Sequence, residues 1–236
     1  MTTTPARHPT ITDELELLGR LVELNDLDIV ELGCGAAQLA RQLVATRPGC
    51  RVTALEVDMR QHAKNLQQPQ PGLSFIDAGA QAIPFEDERF QLALMLKSLH
   101  HVPQPLLDQA LAEVHRVLRP GACLYVSEPV YAGALNDVVR LFHDEREVRA
   151  AAQAALDRAL AGHRWEAAGE VHFDMPVHFA DFADFERRMV DVTFAEHRLD
   201  DVRRADVRAR FDSQMGTDGA HFLRPMHVRL LRKRAV

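Results

Sequence analysis

Val30-Glu31-Leu32-Gly33-Cys34-Gly35 is an apolar run that closes on an acid and two glycines, one residue apart. Glycine lets a backbone turn tightly and approach a ligand with no Cβ in the way. A helix that starts just after such a turn offers N–H groups with no partner inside the helix. The combination suits a nucleotide-like cofactor at the carboxyl edge of a parallel sheet. Gln38 stands where a dinucleotide fingerprint needs its third glycine, and no phosphate loop ending in Lys then Ser or Thr occurs, so NAD and ATP are disfavoured. Glu31, ahead of the first glycine, favours a cofactor with a cationic amino group. Glu56 closes Val52-Thr53-Ala54-Leu55, 23 residues after Gly33. A carboxylate there accepts both hydroxyls of a ribose, and such hydrogen bonds to charge are worth ~1.5–3 kcal/mol. The plainer alternative is that Glu56 and Asp58 cap the next helix.

Two further clusters suit transfer chemistry: Lys97-Ser98-Leu99-His100-His101 and Ser127-Glu128-Pro129-Val130-Tyr131. Lys97 follows five apolar residues, where a charge is costly without a partner or a task. It can pair with Glu128, position an acidic substrate, or snorkel to water. His100 and His101 suit proton acceptance near neutral pH, against a reading in which one packs under a helix and the other faces solvent. Glu128 can orient a substrate amine or hold Lys97. Tyr131, Asn136, Arg140, His143 and Arg146 recur at near-helical spacing and would line a substrate roof, although a solvated helix face explains them too. Twelve histidines raise the question of a metal, and none is expected. His100 and His101 are adjacent and would point apart on a helix. His172/His178 and His221/His227 lack tight ligand spacing and have no cysteine nearby. Phe173, Phe179, Phe182 and Phe185 read as core beneath a late helix, and Cys34 as a small filler.

These residues sit in a regular alternation. Asp13–Leu24 is helical, Ile29–Leu32 a buried strand, Ala36–Thr46 a helix stopped by Arg47-Pro48-Gly49. Arg51–Glu56 reads as strand, Met59–Leu66 as helix, Leu73–Asp77 and Gln91–Leu96 as strands, Pro105–Leu118 as helix and Ala122–Ser127 as a fifth strand. Five strands alternating with helices imply βαβ units, hence a doubly wound α/β sheet covered on both faces. After Glu128 the rhythm changes. Ala134–Phe142 and Glu145–Ala161 read as helices, His163–Phe179 as irregular and Ala180–Met189 as helix. Val190–Phe194 and His227–Leu231 read as late strands around a helix over Asp200–Met215. Thr2–Thr10, polar with two prolines, is expected to fray.

The chain has 236 residues, 47% hydrophobic and 26% charged, which fits one folded domain and excludes a disordered tail. No apolar run nears the ~18 residues of a membrane helix, no signal peptide opens the sequence, and Cys34, Cys50 and Cys123 form no C-x-x-C, so a reduced, cytoplasmic setting is expected. The net charge of −6 argues against a dedicated nucleic-acid binder. From Arg198 to Val236 ten Arg and Lys face five Asp and Glu. Arg203, Arg204, Arg208 and Arg210 would suit RNA phosphates, but aspartates at 200, 201, 206 and 212 interrupt them, and a salt-bridged helix is the better account.

Taken together, the motifs resemble the class I S-adenosylmethionine-dependent methyltransferases, in the branch that acts on small molecules. Glu31-Leu32-Gly33-Cys34-Gly35 is similar to their first motif and Glu56 to their ribose acid. Ala82-Ile83-Pro84-Phe85, then Phe90-Gln91-Leu92, is similar to their third-strand loop and fourth strand, and Val117-Leu118-Arg119-Pro120-Gly121 to the turn before strand five. The resemblance covers residues 25–128. Ala37 departs from the family's third glycine. Gly79 departs from the acid that reaches the adenine amino group, leaving Asp77 or the backbone around Ala80 and Gln81, and Gln91 replaces the aspartate that opens strand four.

The resemblance implies a Rossmann-like, seven-stranded, mostly parallel sheet with helices on both faces and a helical insertion after strand five. It implies one methyltransferase domain over 1–236: cofactor core 25–128, helical substrate cap 130–180, and C-terminal strands and helix 181–236. S-adenosylmethionine would meet Glu31, Gly33, Cys34, Gly35, Glu56, Val57, Asp77, Gly79, Ala80, Gln81 and Lys97. His100, His101, Lys97 and Glu128 would serve catalysis, and Tyr131, Asn136, Arg140 and His143 a small-molecule acceptor. The alternatives left open are a methyltransferase acting on RNA or protein, an enzyme using another part of the cofactor, and an inactive binding protein of the same fold.

Overall fold

A computed structural model describes residues 8–193, 195, 197 and 199–235. The elements follow in the order α1 (Glu14–Leu21), β1 (Asp28–Leu32), α2 (Gln38–Thr46), β2 (Arg51–Leu55), α3 (Met59–Leu66), β3 (Leu73–Ile76), β4 (Phe90–Leu96), α4 (Leu107–Val117) and β5 (Leu118–Pro129). Then come α5 (Ala134–Val139), α6 (Arg146–Ala161), β6 (Trp165–Phe179), α7 (Phe182–Phe185), α8 (Asp201–Asp212), β7 (Met215–Gly216) and β8 (Gly219–Lys233). Acids start several helices by giving orphan N–H groups an acceptor. Asp13 takes the Leu15 amide at 2.9 Å, Asp58 the Arg60 amide at 3.0 Å, and Asp200 the Arg203 amide at 2.8 Å.

The sheet runs β3-β2-β1-β4-β5-β8-β6, with the two-residue β7 antiparallel to β8 as an eighth strand. β1 lies parallel to β2 and to β4, with Ile29 opposite Val52 on one side and Leu92 on the other. β2–β3 and β4–β5 are parallel too. Between β1 and β4 the strand order reverses, so the loops that leave their carboxyl ends part and open a crevice. Val30, Leu32, Ala93, Met95, Leu124 and Val126 share one core with α4 and α6. Tyr125, on the alternate side of β5, reaches Glu14 of α1 instead, so helices cover both faces.

The chain divides into two compact units. One contains Asp13–Glu128, Arg146–Glu170 and Val228–Val236; the other contains Pro129–Glu145, Val171–His227 and the N-terminal segment through Thr12. The second has its own aromatic core, in which Phe179, Phe182 and Phe185 meet Phe211 and Phe222 at ring separations of 5.1–6.0 Å. These phenylalanines are core, as the sequence suggested, and Phe173 is fully buried as well.

Four expectations need correction. His163–Phe179 is not irregular: β6 fills most of it, an edge strand at the end of the sheet. Its odd-numbered positions are apolar or small from Trp165 to Phe179, and Pro176 is tolerated because an edge strand need not donate every N–H. Residues 130–180 are therefore part helix and part strand, and α6 belongs with the unit that contains Asp13–Glu128. No strand covers residues 190–193: Glu186–Val190 forms a π-helical turn after α7, and Phe194 lies outside the described residues. Of the segment expected to fray, residues 2–7 lie outside the described residues, while the Pro9 carbonyl accepts the Asp174 amide of β6 and Thr10 bridges to the same residue.

Candidate functional site

The loop from β1 into α2 is held by backbone and carboxylate. The Gly33 and Cys34 amides both donate to the Leu55 carbonyl, at 2.9 and 3.0 Å, tying the loop to the end of β2. The Gly35 amide donates to Glu56 Oε2 at 2.7 Å, while Glu56 Oε1 takes the Asp58 amide at 2.9 Å. Asn65, 2% exposed on α3, donates its Nδ2 to the Gly35 carbonyl at 2.8 Å. Glu56 and Asp58 thus divide the work: Asp58 caps α3 and Glu56 braces the loop.

Three residues of the loop are left-handed: Gly33 at φ +68°, Gly35 at +53° and Ala37 at +54°. A Cβ on Gly33 would lie 2.8 Å from Ser98 Cβ, so glycine is required by the close approach of the chain leaving β4. A Cβ on Gly35 would meet nothing within 4 Å; the loop is open on that side. Ala37 adopts the turn a third glycine would adopt, at ~1–2 kcal/mol of strain. Ala37 is fully buried. Cys34 is a buried filler, its thiol pushed up by burial and by the Glu31 and Glu56 charges.

Glu31 faces the same side of the sheet as Tyr125 and is 4% exposed. Its Oε2 is buried with no hydrogen-bond partner. Burial pushes this carboxyl up to about 8; Lys97 opposes the shift, and Glu14 and Glu56 add to it. Lys97, left-handed at φ +54° just after β4, pairs with Glu14 of α1 at 3.7 Å, and Glu14 also accepts from the Tyr125 hydroxyl at 3.3 Å. The expected pairing of Lys97 with Glu128 is corrected. Glu128 Oε1 accepts the Leu99 amide at 2.9 Å, and its Oε2 faces His100 Nδ1, with both side chains 2% exposed. The His100 and His101 rings lie 4.1 Å apart, side by side in a 3₁₀ turn over Leu99–His101 rather than pointing apart.

At the end of β3, Asp77 is exposed and Gly79 sits under the end of the Gln81 side chain, which a Cβ there would strike at 2.5 Å. The Gln81 carbonyl is held by Gln109 at 2.9 Å, and Ala80 is buried. Val57, next to Glu56, is 62% exposed, unusual for a valine.

Gly35 and Glu56 are thus in direct contact, and Glu31 feels the charges of Lys97 and Glu56. The five residues expected to line a substrate roof do not share one helix face, and Arg146 opens α6. α5 ends at Val139, so Tyr131 precedes it and His143 follows it. Arg140 pairs with Asp137 at 3.1 Å, and His143 meets Glu145 at 3.0 Å and the His197 ring at 4.6 Å. Residues that sequence reasoning missed are Glu14, Asn65 and Tyr125, and Ser98 was named only as part of its cluster. Ser98 donates to the Leu32 carbonyl at 2.7 Å and completes the brace on the glycine loop. A cleft of about 420 Å³ beside α4, lined by Asp87, Glu113, His115 and Lys233, lies at the amino end of β4 and contains none of the loop residues.

Residues 29–121 match a family model described as a methyltransferase domain. Over 114 residues the chain is 32% identical to methyltransferase GfsG of Streptomyces halstedii, covering 47% of this chain and 40% of that protein. Over 112 residues it is 35% identical to phthiotriol/phenolphthiotriol dimycocerosates methyltransferase 1 of Mycobacterium ulcerans, covering 45% and 39%. The chain spans less than half the length of both relatives. A solved structure from Bacillus halodurans C-125 has a TM-score of 0.64 at 16% identity, covering 94% of this chain and 99% of that one, a likeness of fold.

Proposed function

We propose that this chain, whose residues 29–121 match a methyltransferase domain model, is a class I S-adenosylmethionine-dependent methyltransferase that moves a methyl group to an oxygen, nitrogen or sulfur atom of a small molecule. The observation that carries the reading is Glu56, a 7% exposed carboxylate whose two oxygens are fixed by the Gly35 and Asp58 amides at the rim of an open glycine loop. Each oxygen keeps a further lone pair for a ribose hydroxyl. The unpartnered Oε2 of Glu31 suits the ammonium of the methionine part, and the open side of Gly35 admits its close approach. Val57 offers exposed apolar surface to an adenine ring. Asp77, or the backbone of Gly79, Ala80 and Gln81, is available for its amino group. When bound, S-adenosylmethionine would supply an electrophilic methyl on a sulfonium, with S-adenosylhomocysteine as the coproduct.

The chain's part is to align the acceptor, exclude water and take one proton where one is lost. His100 suits the last task, because Glu128 fixes its ring through Nδ1. His101 stands beside it, and Lys97 supplies positive charge at the carboxyl end of β4. Tyr131, Asn136, Arg140 and His143 are the acceptor-side candidates. Similarity to the phthiotriol/phenolphthiotriol dimycocerosates methyltransferase 1 of Mycobacterium ulcerans favours a small-molecule acceptor. Arginines of α8 are engaged by acids, Arg204 with Glu186 at 2.6 Å, Arg208 with Asp212 at 3.5 Å and Arg210 with Asp137 at 3.5 Å, which disfavours RNA. Cys34, Cys50 and Cys123 are free thiols, as suits a reducing cytoplasm, and among the described residues no helix is long and apolar enough to cross a membrane.

The test is melting temperature with S-adenosylmethionine, S-adenosylhomocysteine and NAD. A ligand at 100 times its Kd adds ~2.7 kcal/mol, about 5–10 °C for this length. Shifts with both adenosyl compounds and none with NAD are expected. No adenosyl shift would overturn the reading. A radiolabelled methyl group that enters bulk RNA or protein, and no small molecule, would overturn the acceptor class.

A further inference from the structure

α4, the turn before β6 and the end of β8 meet around the cleft of about 420 Å³ at the amino end of β4. Its acids and bases are unequally engaged. Arg116 uses all five of its N–H donors, on both oxygens of Glu113, on Asp87, and on the Phe85 and Ile83 carbonyls, at 2.7–2.9 Å. Asp87 and Glu113 are thereby answered. His115, the next residue back on α4, points ~100° away around the helix, and its ring meets Trp165 edge-on at 5.1 Å. Lys233 of β8 is 7% exposed. Its Nζ donates to the Leu118 carbonyl at 2.7 Å, and the Glu88 carboxylate, at 3.8 Å, lies beyond hydrogen-bond reach. Most of the donor capacity of this buried ammonium is therefore open among the described residues. Arg164 is exposed, and no carboxylate of the described residues pairs with it. Burial, then the charges of Lys233 and Arg164, hold His115 below the ordinary imidazole range, and the Arg164 carbonyl counters them.

We propose that Arg164, Lys233 and His115 bind a small tetrahedral oxyanion, either free phosphate or the head of a phosphate monoester. A guanidinium, an ammonium and an imidazole around one cleft offer N–H donors to several oxygens of such an anion. Hydrogen bonds of that kind, with charge on both partners, are roughly twice as strong as neutral ones. Glu88, with a 56% exposed side chain, gives up only its long contact to Lys233 when it turns to solvent. An adjoining cleft of about 240 Å³ shares His115 and Arg164 and is lined by Leu111, Ala159 and Trp165. The apolar body of an ester has a place there, beside its head. A bound anion would tie the turn between α6 and β6 to α4 and to the end of β8, without touching the glycine loop.

The experiment is calorimetric titration of the full chain with inorganic phosphate and with phenyl phosphate, at an ionic strength held by chloride. Saturable binding is expected, and the tighter of the two probes tells the free ion from the ester. Arg164→Gln and Lys233→Met should each weaken it ~10–100-fold, as the loss of a hydrogen bond between charged groups does. Arg164 lies on the surface, so its variant tests the site without disturbing a core. Arg158 lines the adjoining cleft but is held by Asp108 at 2.8 Å, and Arg158→Gln should bind inorganic phosphate as the native chain does. Imidazole magnetic resonance adds a second readout. Sulfate, which keeps its charge while histidine titrates, should raise the His115 midpoint by ~1–3 pH units in the native chain and far less in Arg164→Gln. No binding of either phosphate, undiminished affinity in Arg164→Gln, or a His115 midpoint that sulfate leaves in place overturns the proposal.

Discussion

Glu56 Oε2 receives the Gly35 amide at 2.7 Å, so the acid that ends β2 is a structural brace of the loop that ends β1. Under the proposed function the same carboxylate also accepts ribose hydroxyls, and the two roles can be separated. Glu56→Gln keeps one carbonyl oxygen for the loop but loses the charge. It is expected to weaken S-adenosylhomocysteine binding ~10–100-fold, since hydrogen bonds to charge are the stronger kind. Glu56→Ala also strands the Gly35 amide and should cost ~1–3 kcal/mol of stability besides. Calorimetry and urea unfolding read the two effects; equal affinity in all three chains would remove Glu56 from the cofactor site.

Gly33 and Gly35 should respond differently to alanine. Both are left-handed, which costs a side chain ~1–2 kcal/mol. At Gly33 the new methyl also strikes Ser98 Cβ at 2.8 Å, while at Gly35 it enters open space. Gly33→Ala is therefore expected to lower Tm more than Gly35→Ala. Gly35→Ala is expected to lose more cofactor affinity than stability, because its methyl fills the cradle. Thermal melts with and without S-adenosylhomocysteine separate the cases.

Glu128 and His100 form a contact with 2% exposure on either side, and Glu128 also holds the Leu99 amide. Glu128→Ala removes one partner of a buried polar pair and strands an amide, which places the expected loss at ~3–5 kcal/mol. His100→Gln is milder on stability but removes the proposed proton acceptor. It should lower kcat with little change in KM where the acceptor loses a proton. Denaturant unfolding checks the first expectation and steady-state kinetics the second.

The parallel core was legible because each element carried its own local signal. Met59–Leu66 needed only its cap and period, and the glycine loop only its backbone demands. Strand β6 was also written in the sequence as a two-residue alternation, but Gly169 and Pro176 masked it as a turn-rich stretch. The site was half legible. Gly33, Gly35 and Glu56 announce themselves by residue type at strand ends. Glu14 and Tyr125 do not, because their approach to Lys97 depends on how α1 packs over the sheet, a tertiary fact without local spacing. Of the partners open to Glu128 in the sequence, Lys97 is not the one it meets: a strand-end acid meets whichever neighbour the next turn supplies, here His100.

Glu31 gives the site a pH dependence whose sign is fixed by burial. Its carboxyl titrates near 4.5 when exposed and is pushed up to about 8 in the fold. Between those values the native chain holds the proton that the unfolded chain has lost, so stability falls with rising pH. The contribution is complete below about 4.5 and gone once pH passes about 8. Urea unfolding of the native chain against Glu31→Gln across pH 5–9 should show this slope only in the native chain, by ~1.4 kcal/mol per pH unit at most. Cofactor affinity should move the other way, rising toward pH 8 as the carboxylate forms to meet an ammonium. A flat affinity profile in the native chain would separate Glu31 from the amino group.

Lys97 and Glu14 should tune that midpoint in opposite directions. After burial, Lys97 exerts the largest influence on Glu31 and favours its ionised form, while Glu14 disfavours it. Lys97→Met removes the favourable charge, so the midpoint of the Glu31 affinity profile should move to higher pH. Glu14→Gln removes a like charge and should move it lower. Glu14 also anchors Lys97 at 3.7 Å, and freeing that amine reduces the second shift, so the Lys97 displacement should be the larger. Calorimetric titration of S-adenosylhomocysteine across the pH range reads both midpoints. Displacements of the same sign would mean that the two residues act through the packing of α1 rather than through charge.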